Sequence, residues 1–214
     1  MGKRSVISER QVRDAKAEGR SVLAVPEHAI VTPLAADTAR SLGITLQRAS
    51  HHVADEQATP AHENPVLCIG ADHGGYAMKE EIKKRLEDQG FTVVDVGTDS
   101  PASCDYPDFA YAVAALVAQG KAGKGIMIDG VGVGSAIACN KVPGVRAACG
   151  YTEFAAWNAR AHNDANVLTL GSRAMGIEVV HRIVDTFLST DFEGGRHQRR
   201  VQKMLDIEER FQRR

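Results

Sequence analysis

From residue 66 to residue 189 the chain repeats one pattern: a short apolar run, then a stretch long enough and amphipathic enough for a helix. VLCIG (66–70) reads as a strand before the helical YAMKEEIKKRLEDQG (76–90), which closes on a C-cap glycine. TVVDVG (92–97) precedes FAYAVAALVAQG (109–120), which ends at Gly120, and GIMID (125–129) precedes a short helix around Ser135–Lys141. VRAACG (145–150) leads into a helix over Glu153–Ala161, and NVLTLG (166–171) into IEVVHRIVDTFLS. Parallel strands need crossovers, and helical crossovers cover the sheet they connect. The alternation therefore predicts an α/β fold, a Rossmann-like three-layer sandwich around a five-stranded parallel sheet. Ligands of such folds sit outside the carboxyl ends of the strands. That rule selects Asp72 and His73, Asp129 and Gly130, and the residues just after the fourth and fifth strands.

The flanking segments behave differently. Residues 1–48 read as a small α/β extension: SERQVRDAKAEG with a Ser N-cap, a short strand SVLAV, and a capped helix VTPLAADTARSLG ending at Gly43. The segment is too small for a strong core of its own. Residues 49–65, polar and proline-containing, read as a linker. Its histidines, His51, His52 and His62, lack further ligands at metal-site spacing and are expected to be solvated, so no metal is expected. Residues 66–214 form the main domain. Its tail gives one more helix, with Val201, Met204, Leu205, Ile207 and Phe211 on one face and no strand left to cover. A partner subunit is the expected destination, hence a homodimer or dimer of dimers. The net charge of −1 gives no reason to expect nucleic acid or a membrane surface. No apolar run approaches the ~20 residues of a membrane span. A basic, polar start with no hydrophobic segment behind it speaks against a secretory leader. Cys68, Cys104, Cys139 and Cys149 lack paired spacing and read as buried free thiols of a reducing cytoplasm.

Three stretches carry chemistry. Gly70-Ala-Asp-His-Gly-Gly75 sets Asp72 and His73 beside free backbone N–H groups where a helix opens, a turn suited to an anion. GIMIDGVGVGS (125–135) delivers Asp129 to a turn in which Gly130, Gly132 and Gly134 let backbone donors approach developing negative charge. A dinucleotide fingerprint would need a third glycine where Ser135 or Ile137 stands, so NAD is the minor reading, although Glu153 lies at a ribose-binding distance. Before the fifth strand stand His162, Asn163 and Asp164, and after it Arg173. Arg196 and Arg200, at i and i+4, share a helix face and match a phosphate dianion, the plain alternative being a solvated basic tail.

Together GADHGGYAMKEEIKKRL, DYPDFA, GVGVGSAIACNKVPGVRAA, ARAHNDANVLTLGSR and FEGGRHQRRV resemble the ribose-5-phosphate isomerase B family, which includes the galactose-6-phosphate isomerase subunits. The motifs occur in family order over about residues 66–202. The resemblance implies an aldose–ketose isomerase acting through a cis-enediolate without metal or organic cofactor, ribose 5-phosphate to ribulose 5-phosphate. It implies that Asp72 contacts sugar hydroxyls and that His73, Arg173, Arg196 and Arg200 hold the phosphate. His162 would open the ring, Asn163 steady the enediolate, Tyr106, Ser135 and the loop glycines line the sugar, and two subunits share each site. At the third strand end the family carries Cys-Gly-Thr-Gly, with cysteine as the base, or a glutamate further along. Here those positions are Asp129, Val131 and Ser135, and Asp129 is the one ionisable side chain in the loop. A carboxylate can move a proton α to a carbonyl, a step worth about 10²–10⁴ in rate, and burial against Val131 and Val133 is expected to make it a better base. A changed sugar phosphate (tetrose, hexose 6-phosphate or deoxy sugar) and a non-catalytic phosphosugar-binding or scaffold subunit stay open. The extension resembles a short region on bacterial microcompartment enzymes. That implies cytoplasmic cargo meeting shell or cargo proteins through residues 1–48, against the alternative of a dimerisation arm.

Overall fold

A computed structural model describes residues 4–48 and 66–212. The linker and its three histidines lie outside the described residues. In the main domain the strands are β5 (Leu67–Ala71), β6 (Val93–Asp95), β7 (Lys124–Asp129), β8 (Ala147–Cys149) and β9 (Val167–Gly171). They form one parallel five-stranded sheet in the order β6-β5-β7-β9-β8. Helices α3 (Tyr76–Asp88), α4 (Tyr106–Ala118), α5 (Val133–Cys139), α6 (Glu153–Asn163) and α7 (Ile177–Ser189) are the crossovers, and α8 (Arg196–Gln212) follows.

Strand side chains alternate between two cores. Leu67, Ile69, Ile126, Ile128, Leu168 and Leu170 pack with α3, α6 and α7, where Phe187 and Ile183 are fully buried. Cys68, Met127 and Val167 face the other way, onto the alanine- and valine-rich α4 and onto α5. Because both faces are covered, the strands read as nearly unbroken apolar runs. Trimming Ile128 to alanine would cost about 2–5 kcal/mol, because the close-packed layer cannot fully collapse into the void. The helix expected from residue 109 starts at Tyr106, with a proline in its first turn that supplies a fixed φ and lacks only a donor the helix would leave unpaired.

The extension holds β1 (Val6–Ile7), α1 (Glu9–Ala17), β2 (Val22–Val25), β3 (Ile30–Val31), α2 (Pro33–Leu42) and β4 (Thr45–Arg48). β1 pairs with β3, and β2 with β4, both parallel. Two-residue strands have no periodicity to detect, which is why β1 and β3 escaped sequence reading; β4 (TLQR), mostly exposed and without an apolar run, escaped it too. A small core gathers Ile7, Val12, Leu23, Val25, Ala35 and Ile44. Val6 and Ile30 pack outward, onto the α4–α5 core of the main domain. All four cysteines are free, but only Cys68 and Cys139 are buried; Cys104 and Cys149 are half-buried, contrary to expectation, because each borders the upper loops described below.

Candidate active site in two half-sites

At the carboxyl end of the sheet three loops are stitched together by main-chain bonds. Asp72 follows β5 and is 7% exposed; its Oδ1 accepts from the N–H groups of Gly74 (2.9 Å) and Gly75 (3.0 Å), closing the turn into α3. The Ser172 hydroxyl after β9 donates to the Gly74 carbonyl at 2.7 Å, and the Ser172 N–H to the Asp129 carbonyl at 2.8 Å. The Arg173 N–H donates to the Gly130 carbonyl at 3.0 Å, and its side-chain stem runs beside Gly130. The Arg173 guanidinium has no hydrogen bond or ion pair among the described residues. Its stem thus lies against the loop that carries Asp129.

His73 is tied to the β6–α4 loop. Its Nδ1 lies 3.1 Å from the Cys104 carbonyl oxygen and 3.2 Å from the Cys104 amide nitrogen, so either tautomer finds a partner. Burial pushes the Cys104 thiol up, while hydrogen bonds through His73 and Thr98 act against it. Two residues on, Tyr106 lies over Gly134; a Cβ there would collide with the phenol ring. Four of the expected sugar-site groups, Asp72, His73, Tyr106 and the glycine loop, thus converge here.

Asp129 is 5% exposed and bound entirely to its own loop. Oδ1 accepts from the N–H groups of Val131 (2.6 Å) and Gly132, and Oδ2 from the Ser135 N–H (3.2 Å) and hydroxyl (2.5 Å). The turn works because Gly132 sits at φ +94°, a left-handed conformation that costs glycine nothing. Three expectations change. The donors converge on Asp129 itself and come from Val131, Gly132 and Ser135, not from Gly130 or Gly134. Ser135, expected to touch sugar, is wholly buried as a partner of Asp129. Val131 and Val133 are 53% and 44% exposed, so backbone and Ser135, not valine side chains, enclose the carboxylate. Sequence reading also missed Tyr151, whose hydroxyl donates to the Val131 carbonyl at 2.8 Å and pins the loop from β8. Partial burial raises the Tyr151 phenol, helped by negative charge from Cys149 and Asp129.

His162 and Asn163 are elsewhere. They end α6, which runs back from the upper end, so they stand near the start of β9, where the Gly125 N–H donates to the Asn166 carbonyl. Between Gly125 and Asp129 the strand climbs ~13 Å. The expectation of one cleft at the carboxyl ends therefore fails for these two residues within one chain. This lower cluster is made of side chains. Asn158 donates to His162 Nδ1 at 2.8 Å, which leaves the proton of a neutral ring on Nε2, 3.7 Å from Glu193. His197, 4% exposed, stacks on His162 with centroids 4.0 Å apart, and Trp157 meets the same ring edge-on at 5.0 Å. Removal from water lowers the His197 pKa, as do His162, Arg196 and Arg200, with Glu193 opposing. Asp164, in a left-handed conformation at the end of α6, is clamped by Arg146 and Arg160 at 2.8 Å each, fixing where the helix stops. Asn163, Arg196 and Arg200 are exposed.

Ligand atoms of His162, Glu193 and His197 lie within 4.8 Å of one another, the one such cluster among the described residues. Arg196 Nε already donates to His197 Nε2 at 3.2 Å, so a cation would have to displace a guanidinium and sit beside its charge. Glu153, the ribose-acid position of the minor NAD reading, is paired with Arg182 on the surface at 2.8 Å.

The main domain has known relatives. Residues 67–204 match the family model described as Ribose/Galactose Isomerase. The chain is 45% identical to ribose-5-phosphate isomerase B of Escherichia coli (strain K12) over 144 residues, 67% of this chain and 97% of that one. A solved ribose-5-phosphate isomerase B from Clostridium thermocellum superposes with a TM-score of 0.68 at 47% identity, over 68% of this chain and 99% of its own. A further structure, ribose-5-phosphate isomerase B from Mycoplasma genitalium with bound ribulose 5-phosphate, gives 0.65 at 44%, over 67% and 96%.

Proposed function

Since the chain belongs to the ribose/galactose isomerase family and is a sugar-phosphate isomerase, we propose that it interconverts ribose 5-phosphate and ribulose 5-phosphate, with Asp129 as the proton shuttle. The observation that carries this is the position of Asp129. It is the one ionisable side chain of its loop, at the end of the central strand, between Asp72 and Arg173. A proton leaving C2 and arriving at C1 needs a single acceptor within reach of both carbons, and a fixed carboxylate meets that need.

The hydrogen bonds define how it would work. A carboxylate has about four in-plane acceptor positions, and loop donors occupy that many on Asp129. Only the Ser135 hydroxyl can leave without moving backbone, by rotating about its Cα–Cβ bond. We assign Ser135 that gating role in place of sugar contact. The same saturation favours a second reading, in which Asp129 only shapes the loop and the protein binds phosphosugars without isomerising them. Another sugar phosphate as substrate is the variant of the first.

The site would be completed by a second copy of the chain. His162, Asn163, Arg196 and Arg200 stand at the other end of the sheet from Asp129. A two-fold axis perpendicular to the strands exchanges the ends, setting the lower cluster of one subunit against the upper loops of its partner. Exposed apolar side chains on that flank, Ile137 on α5 and Met204 and Ile207 on α8, support such a contact. There His162 would open the ring and the arginines would take the phosphate with His73.

Incubation with ribose 5-phosphate in deuterium oxide tests the proposal. Wild type is expected to form ribulose 5-phosphate and exchange the C2 hydrogen, Asp129→Asn to lose ~10³ of that rate, and Asp129→Cys to keep part of it. Binding without exchange by wild type would establish the second reading.

A further inference from the structure

The β6–α4 loop, residues 98–105, carries Cys104 against His73 and leads directly into Tyr106, yet it has little packing of its own. Its rear faces a cavity of about 420 Å³ lined by Arg4, Ser8, Arg10, Thr98, Cys104 and Phe109. A loop whose rear borders an open cleft can move, and its position is then decided by whatever ties it. Beyond the His73 contact and the bond from the Thr98 N–H to the Ala71 carbonyl, those ties come from the extension. The Arg4 N–H donates to the Asp95 carbonyl at 3.0 Å, just before the loop. Arg10 Nη1 donates to the Ser103 carbonyl at 2.5 Å, beside Cys104. Behind the loop, burial raises the Asp108 carboxyl, with Thr32, itself 2% exposed, opposing and the negative charge of Asp105 and of Glu9 in the extension adding to the rise. Val6 and Ile30 seat this unit on the main core.

We infer that the extension braces the sugar-phosphate site, with Arg10 as a positioning residue that sets Cys104 and, through it, the His73 imidazole. This segment precedes the family match, which begins at residue 67, so the brace is an addition to the isomerase domain. The inference rests on the reading of His73 as a phosphate contact. If it holds, loosening Arg10 weakens a contact made equally to substrate and transition state, and the effect appears in KM.

The experiment uses the full chain with Arg10→Ala, Arg10→Lys and, as a distant control, Arg40→Ala on the exposed face of α2. Arg10→Ala is expected to raise KM for ribose 5-phosphate about three- to tenfold, the range of one lost hydrogen bond, with kcat nearly unchanged. Arg10→Lys should restore most of the loss, and Arg40→Ala should do nothing. The His73 ring resonances should shift in Arg10→Ala and return in Arg10→Lys, a readout that needs no turnover and that a mere loss of stability would not produce. Unchanged KM and unchanged His73 resonances would overturn the brace. A His73→Ala variant separates the two layers. If it leaves KM alone while Arg10→Ala still moves the His73 resonances, the phosphate role of His73 falls and the brace stands.

Discussion

The two ends of the sheet are built from different materials. At the upper end, Asp72 and Asp129 are each less than a tenth exposed and held chiefly by main-chain N–H groups, with the buried Ser135 donating to Asp129. At the lower end Asn163, Arg196 and Arg200 stand in solvent, and His162 is held by side chains, Asn158, Trp157 and His197. Groups fixed by the fold cost nothing to orient when substrate arrives. Long arginines lose up to ~2 kcal/mol of rotamer freedom each when a ligand fixes them. The upper end therefore suits the proton transfer between carbons and the arginines of the lower end suit capture, and a partner subunit would bring the second to the first.

The sharpest way to break this contrast is subunit complementation. Asp129→Asn and His162→Gln are each expected to be nearly inactive. Mixed in equal amounts, unfolded and refolded together, they should regain about a quarter of wild-type activity, because half of the dimers are mixed and each holds one intact site. If upper and lower residues of the same chain formed the site, mixing would restore nothing.

A smaller effect separates the roles of the two ends. Arg196→Ala with Arg200→Ala removes two charged donors to phosphate, each worth about 1.5–3 kcal/mol. KM should rise about a hundredfold or more, with kcat within severalfold of wild type. A fall in kcat equal to the fall in kcat/KM would move these arginines into the reacting end and erase the division.

How far the sequence announced this layout follows the same division. Alternating apolar and amphipathic runs identified all five sheet strands to within two residues at either end, because both cores depend on that spacing. α7 was legible to its boundaries, Ile177–Ser189, since its apolar face repeats at helical period. Asp72, His73 and Asp129 were legible because a strand must end on the ligand side. The position of His162 was not. Sequence proximity to β9 suggested the same cleft, whereas the return direction of α6 sends it to the opposite end. Glu193 and His197 do leave a signal within FEGGRHQRRV, an acid and a histidine at i and i+4 beside Arg196 and Arg200. The self-bonding of Asp129 was invisible too, since main-chain donors leave no mark in residue types.

The weakest effect expected concerns acid. His197 is buried against His162, with Arg196 and Arg200 adding positive charge and Glu193 opposing, and its pKa is lowered. The unfolded chain keeps the ordinary value near ~6.5, so between the two values it binds more protons than the folded chain. Stability then rises with pH across that interval. The contribution is whole above ~6.5 and is lost as pH falls toward the folded value. Melting temperature should therefore decline on going from about pH 8 to about pH 5, and His197→Gln should flatten that slope while lowering the starting value, since the ring that supports His162 is gone. An undiminished slope in the variant would assign the acid sensitivity to some other group and leave the lower cluster with its geometry alone.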